Sequence, residues 1–359
     1  MNHYDLPPAH GPPAIPHSRP SMDDTDAREV TDVLRSGMLA QGARVAAFEQ
    51  AIAQQVGVKG GVATNSGTAA LHLALLALRI GEGDEVLLPT YACAALLHAV
   101  RAVKAVPRLV DCDPRSFNMD PEAARRACSA RARALIVVHT FGLPAEVDAL
   151  KELGLPLIED GAQALGAMYR GKAVGSLGDV AVVSFYATKL ITTGEGGMLL
   201  ANDERILAMA QDLRAYDEKG DATPRLNYKL TDFQAALGLS QLQRLPRFLS
   251  RRAAIAARYR ERLRDLPLQP PQAPPDRERV YYRYVIRGPL PAEPYLARLQ
   301  ARGVEARRPV FRPLHRYLRL AGFPGAEEAW EMAVSLPLYP SLADAEVEQI
   351  GAAACQSFR

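Results

Sequence analysis

Between residues 61 and 201 short apolar runs alternate with helical segments, and this alternation restricts the fold more than any other feature of the chain. The runs 61–64, 85–88, 106–110, 134–138, 156–158, 181–184 and 198–201 read as strands. Helical periodicity falls between most of them, at 68–78, 93–103, 121–130 and 147–153. Strands separated by helices cannot pair as hairpins, so the pattern predicts an α/β fold with a mainly parallel sheet covered on both faces. Ligands in such sheets sit beyond the carboxyl ends of the strands, so polar residues just after each run are the candidate site.

The rest of the chain reads differently. Segments 24–36 and 43–56 carry helical spacing, and 230–257 reads as a long helix interrupted near Pro246. A proline-rich linker follows at 266–275, then strand periodicity at 279–287 and a helix at 294–302. We therefore expect a large domain over 21–249 and a smaller α+β C-terminal domain over 250–359. Residues 1–20 hold prolines at 7, 8, 12, 13, 16 and 20, which fix φ and remove donors. They read as an extended arm, with ordered structure beginning near Asp23. His3, His10 and His17 recur every seven residues, but a solvated or docked arm explains them better than a metal site. A net charge of +3 implies neither nucleic-acid nor membrane-surface binding. The 4 cysteines form no C-x-x-C pair and lack zinc spacing, so they read as free thiols in a reducing compartment. There is no secretion signal at the start, and the richest apolar stretch, 92–100, is too short to span a bilayer. The expectation is a soluble, cytoplasmic protein without a metal.

Three stretches at strand ends carry chemistry. In Thr64-Asn65-Ser66-Gly67-Thr68 a glycine turn opens a helix, whose free N–H groups and dipole favour an anion. A plain helix cap would use the same residue types. The run Ile158-Glu159-Asp160-Gly161-Ala162-Gln163 ends a buried strand in two acids. A carboxylate there suits a metal, a ribose or a protonated ring nitrogen, and equally a helix cap. In Ser184-Phe185-Tyr186-Ala187-Thr188-Lys189 a strand enters a glycine-rich loop around a lysine with few charged neighbours, a candidate nucleophile toward an aldehyde. Tyr91, in Pro89-Thr90-Tyr91, offers a ring at a fourth strand end. A phosphate cradle, an acid, an aromatic and a lysine together match the needs of pyridoxal 5'-phosphate (PLP).

The stretches NSGTAALHLAL, LLPTYACAA, IEDGAQALGA, SFYATKLITTGEGG, NYKLTDFQAALGLSQL and LPLYPSL, in that order, resemble the DegT–StrS family of sugar aminotransferases. The likeness runs from about residue 22 to the C-terminus and implies the PLP-dependent transferase fold type I. It implies that Lys189 is the Schiff-base lysine and that Asp160 pairs with the pyridine nitrogen. Gln163 matches the amide beside the phenolic oxygen, Gly67, Thr68 and Ser184 the phosphate ligands, and Tyr91 the stacking aromatic. Asn227 matches a residue that reaches the phosphate from the other subunit, so the resemblance implies a homodimer with a shared site. The implied reaction moves an amino group from glutamate or glutamine to a keto-sugar. A non-nucleotide keto-sugar or cyclitol as acceptor, or a PLP-binding regulator without turnover, is the alternative. Leu165 departs from the family, which often carries His there, and this puts a polar contact near the cofactor or substrate in doubt. Arg307, Arg308, Arg312 and His315 form a basic stretch able to meet an anionic substrate, and Lys229 and Glu195 are further candidates.

Overall fold

The computed structural model describes residues 14–269 and 273–359. The expected linker is therefore described only in part, and His3 and His10 lie outside the described residues. Seven strands form the central sheet: β1 (Gly60–Thr64), β2 (Glu85–Pro89), β3 (Val106–Val110), β4 (Ala132–Val138), β5 (Leu157–Asp160), β6 (Val180–Ser184) and β7 (Gly197–Ala201). Their order is β1-β7-β6-β5-β4-β2-β3, and all are parallel except β7, which runs against both of its neighbours. Apolar residues fill nearly every strand position because both faces are covered. Along β6, Val180 and Val182 pack into one cluster with helix Gly67–Ala77, while Ala181 and Val183 pack into another with Phe48, Ile52 and Phe185.

The carboxyl ends of β1, β5 and β6 share one edge. Thr64 pairs with Gly197, Gly197 with Ser184, and Asp160 with Val182. A side chain added at Gly197 would lie 2.4 Å from the Ser66 carbonyl oxygen, so only glycine lets β7 pass behind the turn that follows β1.

Helix Asp232–Gln243 gives way at Arg244 to helix Leu245–Arg262, with Pro246 in the first turn of the second, where a missing N–H costs nothing. The second helix crosses residue 250. Phe248 joins the core of the large sheet, whereas Ile255 and Tyr259 join a separate cluster with Tyr284, Tyr295, Val334 and Ile350. That cluster surrounds the antiparallel pair Tyr284–Arg287 and Ala333–Leu336. The strand at 279–287 is shorter than its periodicity predicts, because Val280 donates instead to the carbonyl of Gly142.

Order begins before Asp23. Ile15 is 5% exposed and pairs with Val304, donating to Gly303 (2.8 Å) and accepting from Glu305 (3.0 Å). Ile15 buries its side chain in the C-terminal cluster, so order begins ahead of the expected start near Asp23. Among the described residues no helix is long and apolar enough to cross a membrane, and no cluster of His, Cys, Asp and Glu could hold a metal ion.

Candidate active site

Helix Gly67–Ala77 starts directly after β1. Ser66 caps it, accepting from the Ala69 N–H (3.1 Å). The N–H groups of Gly67 and Thr68 have no acceptor among the described residues, so the positive end of the helix is left open for an anion. Ser184 faces this turn across a narrow gap: a Cβ on Gly67 would lie 3.0 Å from the Ser184 Cβ. Gly67, Thr68, Ser184, Asp160, Gln163 and Lys189 all line one cavity of about 260 Å³. A water takes only about 30 Å³ in the liquid, so this space is built for something larger.

Asp160 closes the floor. It is 7% exposed, and one oxygen accepts from the Ala162 N–H (3.0 Å). Burial pushes its carboxyl up, against the opposing pull of Lys189, the Ala162 N–H and His139. It makes no ion pair among the described residues, so a buried carboxylate turns toward the cavity without a cationic partner. A protonated ring nitrogen supplies what such a group lacks. The cradle, the acid and the lysine thus fit PLP.

A second layer orients these groups. Glu159, fully buried, accepts from the N–H groups of Gly175, Leu177 and Gly178 and from His139 Nε2 (3.0 Å). The Ala145 N–H donates to His139 Nδ1 (3.1 Å), which leaves Nε2 to donate to Glu159. Burial raises the Glu159 carboxyl, but His139 and the N–H groups of Gly175 and Gly178 more than reverse that. The pair anchors a turn in which Phe141 takes φ 55°, a left-handed conformation costly for a bulky residue. The strained turn aims the Phe141 N–H at the Gln163 side-chain oxygen (2.9 Å). With its oxygen engaged, Gln163 presents its NH₂ as a donor to the cavity.

Lys189 also lines a second cavity of about 370 Å³, shared with Tyr282, Arg283, Phe311, Arg312 and Tyr317. Lys189 Nζ lies 5.1 Å from the centroid of the Tyr282 ring. Burial raises the Tyr282 hydroxyl, but Lys189, Arg283, Thr188 and Arg252 pull it down to about 8. Cys93, Val138, Gln163 and Lys189 border both cavities.

Several expected residues stand elsewhere. Tyr91 does not line the cradle. It is 1% exposed, stacks on Phe117 (5.7 Å between centroids) and donates to the Ala329 carbonyl (3.3 Å). It touches only the second cavity, while Cys93, two residues on, faces the first. Asn227 is exposed, lines neither cavity, and its carbonyl accepts from Asn65 Nδ2 (3.1 Å). Leu165 belongs to the apolar cluster that holds Phe185, Leu190 and Val280 and lines neither cavity. Glu195 borders the first cavity, whereas Lys229 pairs with Asp217. Arg307 pairs with Glu305, and Arg308 lies on Trp330 and pairs with Glu293. His315 is buried between Thr90 (2.8 Å) and Glu327 (2.5 Å), where it ties the C-terminal segment to the end of β2. Arg312 alone of the basic stretch reaches the second cavity. Tyr282, Arg283, Cys93 and the His139–Glu159 pair were missed. The strand periodicity of 279–287 placed the first two in a strand without showing that its start meets the lysine loop.

The family model of the DegT/DnrJ/EryC1/StrS aminotransferase family matches residues 20–354. A GDP-perosamine synthase of Caulobacter vibrioides is 35% identical over 95% of this chain and 97% of its own length. The aminotransferase TlmJ of Streptoalloteichus hindustanus superposes with a TM-score of 0.90 at 33% identity, over 96% of this chain and 98% of that one. A Streptococcus pneumoniae chain solved in its PLP form gives a TM-score of 0.89 at 27% identity, over 96% of this chain and 100% of that one.

Proposed function

This chain belongs to the DegT/DnrJ/EryC1/StrS aminotransferase family, and on that footing we propose that it moves an amino group from glutamate or glutamine to a nucleotide-linked keto-sugar, using PLP held at Lys189. The amino-sugar so formed would serve polysaccharide, glycan or antibiotic synthesis. The observation that carries the reading is the place of Lys189 at the junction of two cavities, one with an anion cradle and a buried acid, the other with two arginines.

Bound PLP would supply an aldehyde that takes up an amine and a ring that draws electrons from the neighbouring carbon. The residues have separate tasks. The N–H groups of Gly67 and Thr68 and the Ser184 hydroxyl hold the phosphate. Asp160 keeps a proton on the ring nitrogen, and the Gln163 NH₂ donates to the phenolic oxygen. Lys189 Nζ removes the proton from the amino donor's α-carbon and holds it for the return step. One site serves donor and acceptor in turn, which gives ping-pong kinetics.

The site is shared in a homodimer on this reading, with Asn227 serving the partner's cradle. In support, Met38, Leu39 and Phe233 lie exposed around the Asp232 N–H, which is bonded to the carbonyls of Leu39 and Ala40. Leu226, 51% exposed, sits beside Asn227. The reading retains a large lobe over 21–249 and a small one over 250–359.

The test omits the acceptor. Incubated with glutamate alone, the PLP-loaded protein should release one equivalent of keto acid per site while its visible absorption band disappears. A nucleotide-linked keto-sugar should then restore the band and yield the amino-sugar. A protein that keeps its band and releases no keto acid with either glutamate or glutamine defeats this reading.

A further inference from the structure

Of the cations around the second cavity, Arg283 has the most unusual surroundings. It is half-buried, and among the described residues it makes no ion pair with a carboxylate. Its recorded partners are the imidazole of His17, with Nη1 3.0 Å from Nε2 and 3.2 Å from Nδ1, and the ring of Tyr282, 5.2 Å from its Cζ. Lys189 Nζ lies 5.1 Å from the centroid of that same ring. One tyrosine therefore separates an unneutralised guanidinium from the reactive amine, and both line one cavity.

His17 holds this guanidinium in place. It is 5% exposed, and its Nε2 lies 2.9 Å from Ser335 Oγ, while its backbone N–H donates to Glu305 Oε2 (3.2 Å). The pairing of Ile15 with Val304 delivers it there. A guanidinium only donates, so at least one of the two ring nitrogens it meets carries no proton and accepts. Burial, Arg283 and Arg307 all hold His17 well below its ordinary value, and the ring is neutral. A neutral acceptor steers the guanidinium without cancelling its charge.

An amino acid carries its carboxylate on the same carbon that bears the amine. When the amine is at the lysine position, the carboxylate reaches into the same cavity, where a cation is its strongest partner. Arg312, the other guanidinium of the cavity, is exposed, donates to the Arg316 carbonyl (3.0 Å) and lies over Tyr317. Resting on the aminotransferase reading above, we infer that Arg283 binds the α-carboxylate of the amino donor and that His17, from the N-terminal segment, is its positioning residue. A planar fork suits a carboxylate, which it can grip through two parallel N–H···O bonds.

The experiment follows the donor half-reaction of the PLP-loaded protein, with L-glutamate and L-glutamine as probes. Arg283→Leu should weaken both donors at least about tenfold, since charge-assisted pairs are the strong ones. The KM for the sugar acceptor should stay within about twofold, because only donor binding uses this charge-assisted pair. Arg283→Lys should recover part of the loss, because a point charge replaces the fork. His17→Ala should raise the donor KM with little change in kcat, and His17→Gln, whose amide oxygen still accepts, should restore it. Cofactor affinity and melting temperature, measured on each variant, separate these effects from misfolding. If Arg283→Leu, still folded and loaded, binds donors as before, the assignment falls. If it weakens glutamate but not glutamine, the side-chain carboxylate is the ligand and the assignment falls as well. If it weakens only the sugar, Arg283 serves the acceptor. A wild-type protein that fails to react with either donor would instead defeat the aminotransferase reading.

Discussion

Lys189 sits in a loop at the meeting of two cavities, so trimming it opens no core void. Lys189→Ala should stay folded and lose turnover. Borohydride should fix PLP covalently to the wild type and not to the variant. Mass mapping that finds the reduced adduct on another lysine would refute the assignment. Asp160→Asn tests the floor of the site. The amide cannot hold a proton on the ring nitrogen, so PLP should still bind while turnover falls by at least about a hundredfold, the scale of a lost proton-holding group. Turnover equal to the wild type would make Asp160 a structural residue only. Much of this site was legible one residue at a time. Gly67, Thr68, Asp160, Gln163, Ser184 and Lys189 end strands or lie within five residues after them, where local sequence decides which end of the sheet they reach. Tyr91 was misread because its direction is set from far away. Phe117, Phe141 and Ala329 claim its ring and hydroxyl, and no local pattern records that pocket. Leu165 is a similar case, since a departure from a family pattern does not say which way the side chain points.

At the scale of elements, strands and helices were read well where burial enforces period 2 or 3.6, and poorly where one contact decides. The strained turn after β4 is such a place. Gly142 has φ 88°, and a Cβ there would lie 2.0 Å from the Val280 carbonyl oxygen. Gly142→Ala should therefore destabilise the protein by about 1–3 kcal/mol, the cost of a residue forced into a rare conformation. It should also weaken PLP, since the turn aims Phe141 at Gln163. A urea melt matching the wild type would show that the turn gives way freely. The docked segment at residues 15–20 makes a different prediction. His17 is held neutral in the fold, whereas the unfolded chain takes up a proton near pH 6.5. Below that pH the unfolded state binds more protons, so stability is complete above about 6.5 and declines as pH falls toward the folded value, by at most about 1.4 kcal/mol per unit. His17→Gln should lose less stability than the wild type between neutral pH and 5. Parallel stability curves would mean that His17 titrates alike in both states. Proline content alone could not reveal this docking, because Ile15 and His17 owe their places to Val304 and Ser335, nearly three hundred residues or more away.

For the whole molecule the central question is whether one chain completes its own site. The first cavity draws Lys189 and its cradle from the same chain, but Asn227 lies exposed beside the cradle without lining it. The neighbouring Met38, Leu39, Leu226 and Phe233 are exposed apolar residues, an arrangement that a partner subunit would cover. If Asn227 serves the partner's phosphate, Asn227→Ala should weaken PLP by roughly 1–3 kcal/mol, the range for one charge-assisted hydrogen bond. That corresponds to about fivefold to a hundredfold in affinity. Lys189→Ala and Asn227→Ala are then each impaired alone when PLP is kept below saturation. In a mixed dimer both lesions can meet in one site, which leaves the other with an intact lysine and an intact donor. Mixing should return up to half of the wild-type activity per mixed dimer. If both residues act within one chain, each site of the mixed dimer carries one lesion and mixing restores nothing. Sedimentation of the active protein decides the same point without mutation, because a stable, active monomer leaves no partner for Asn227 to serve.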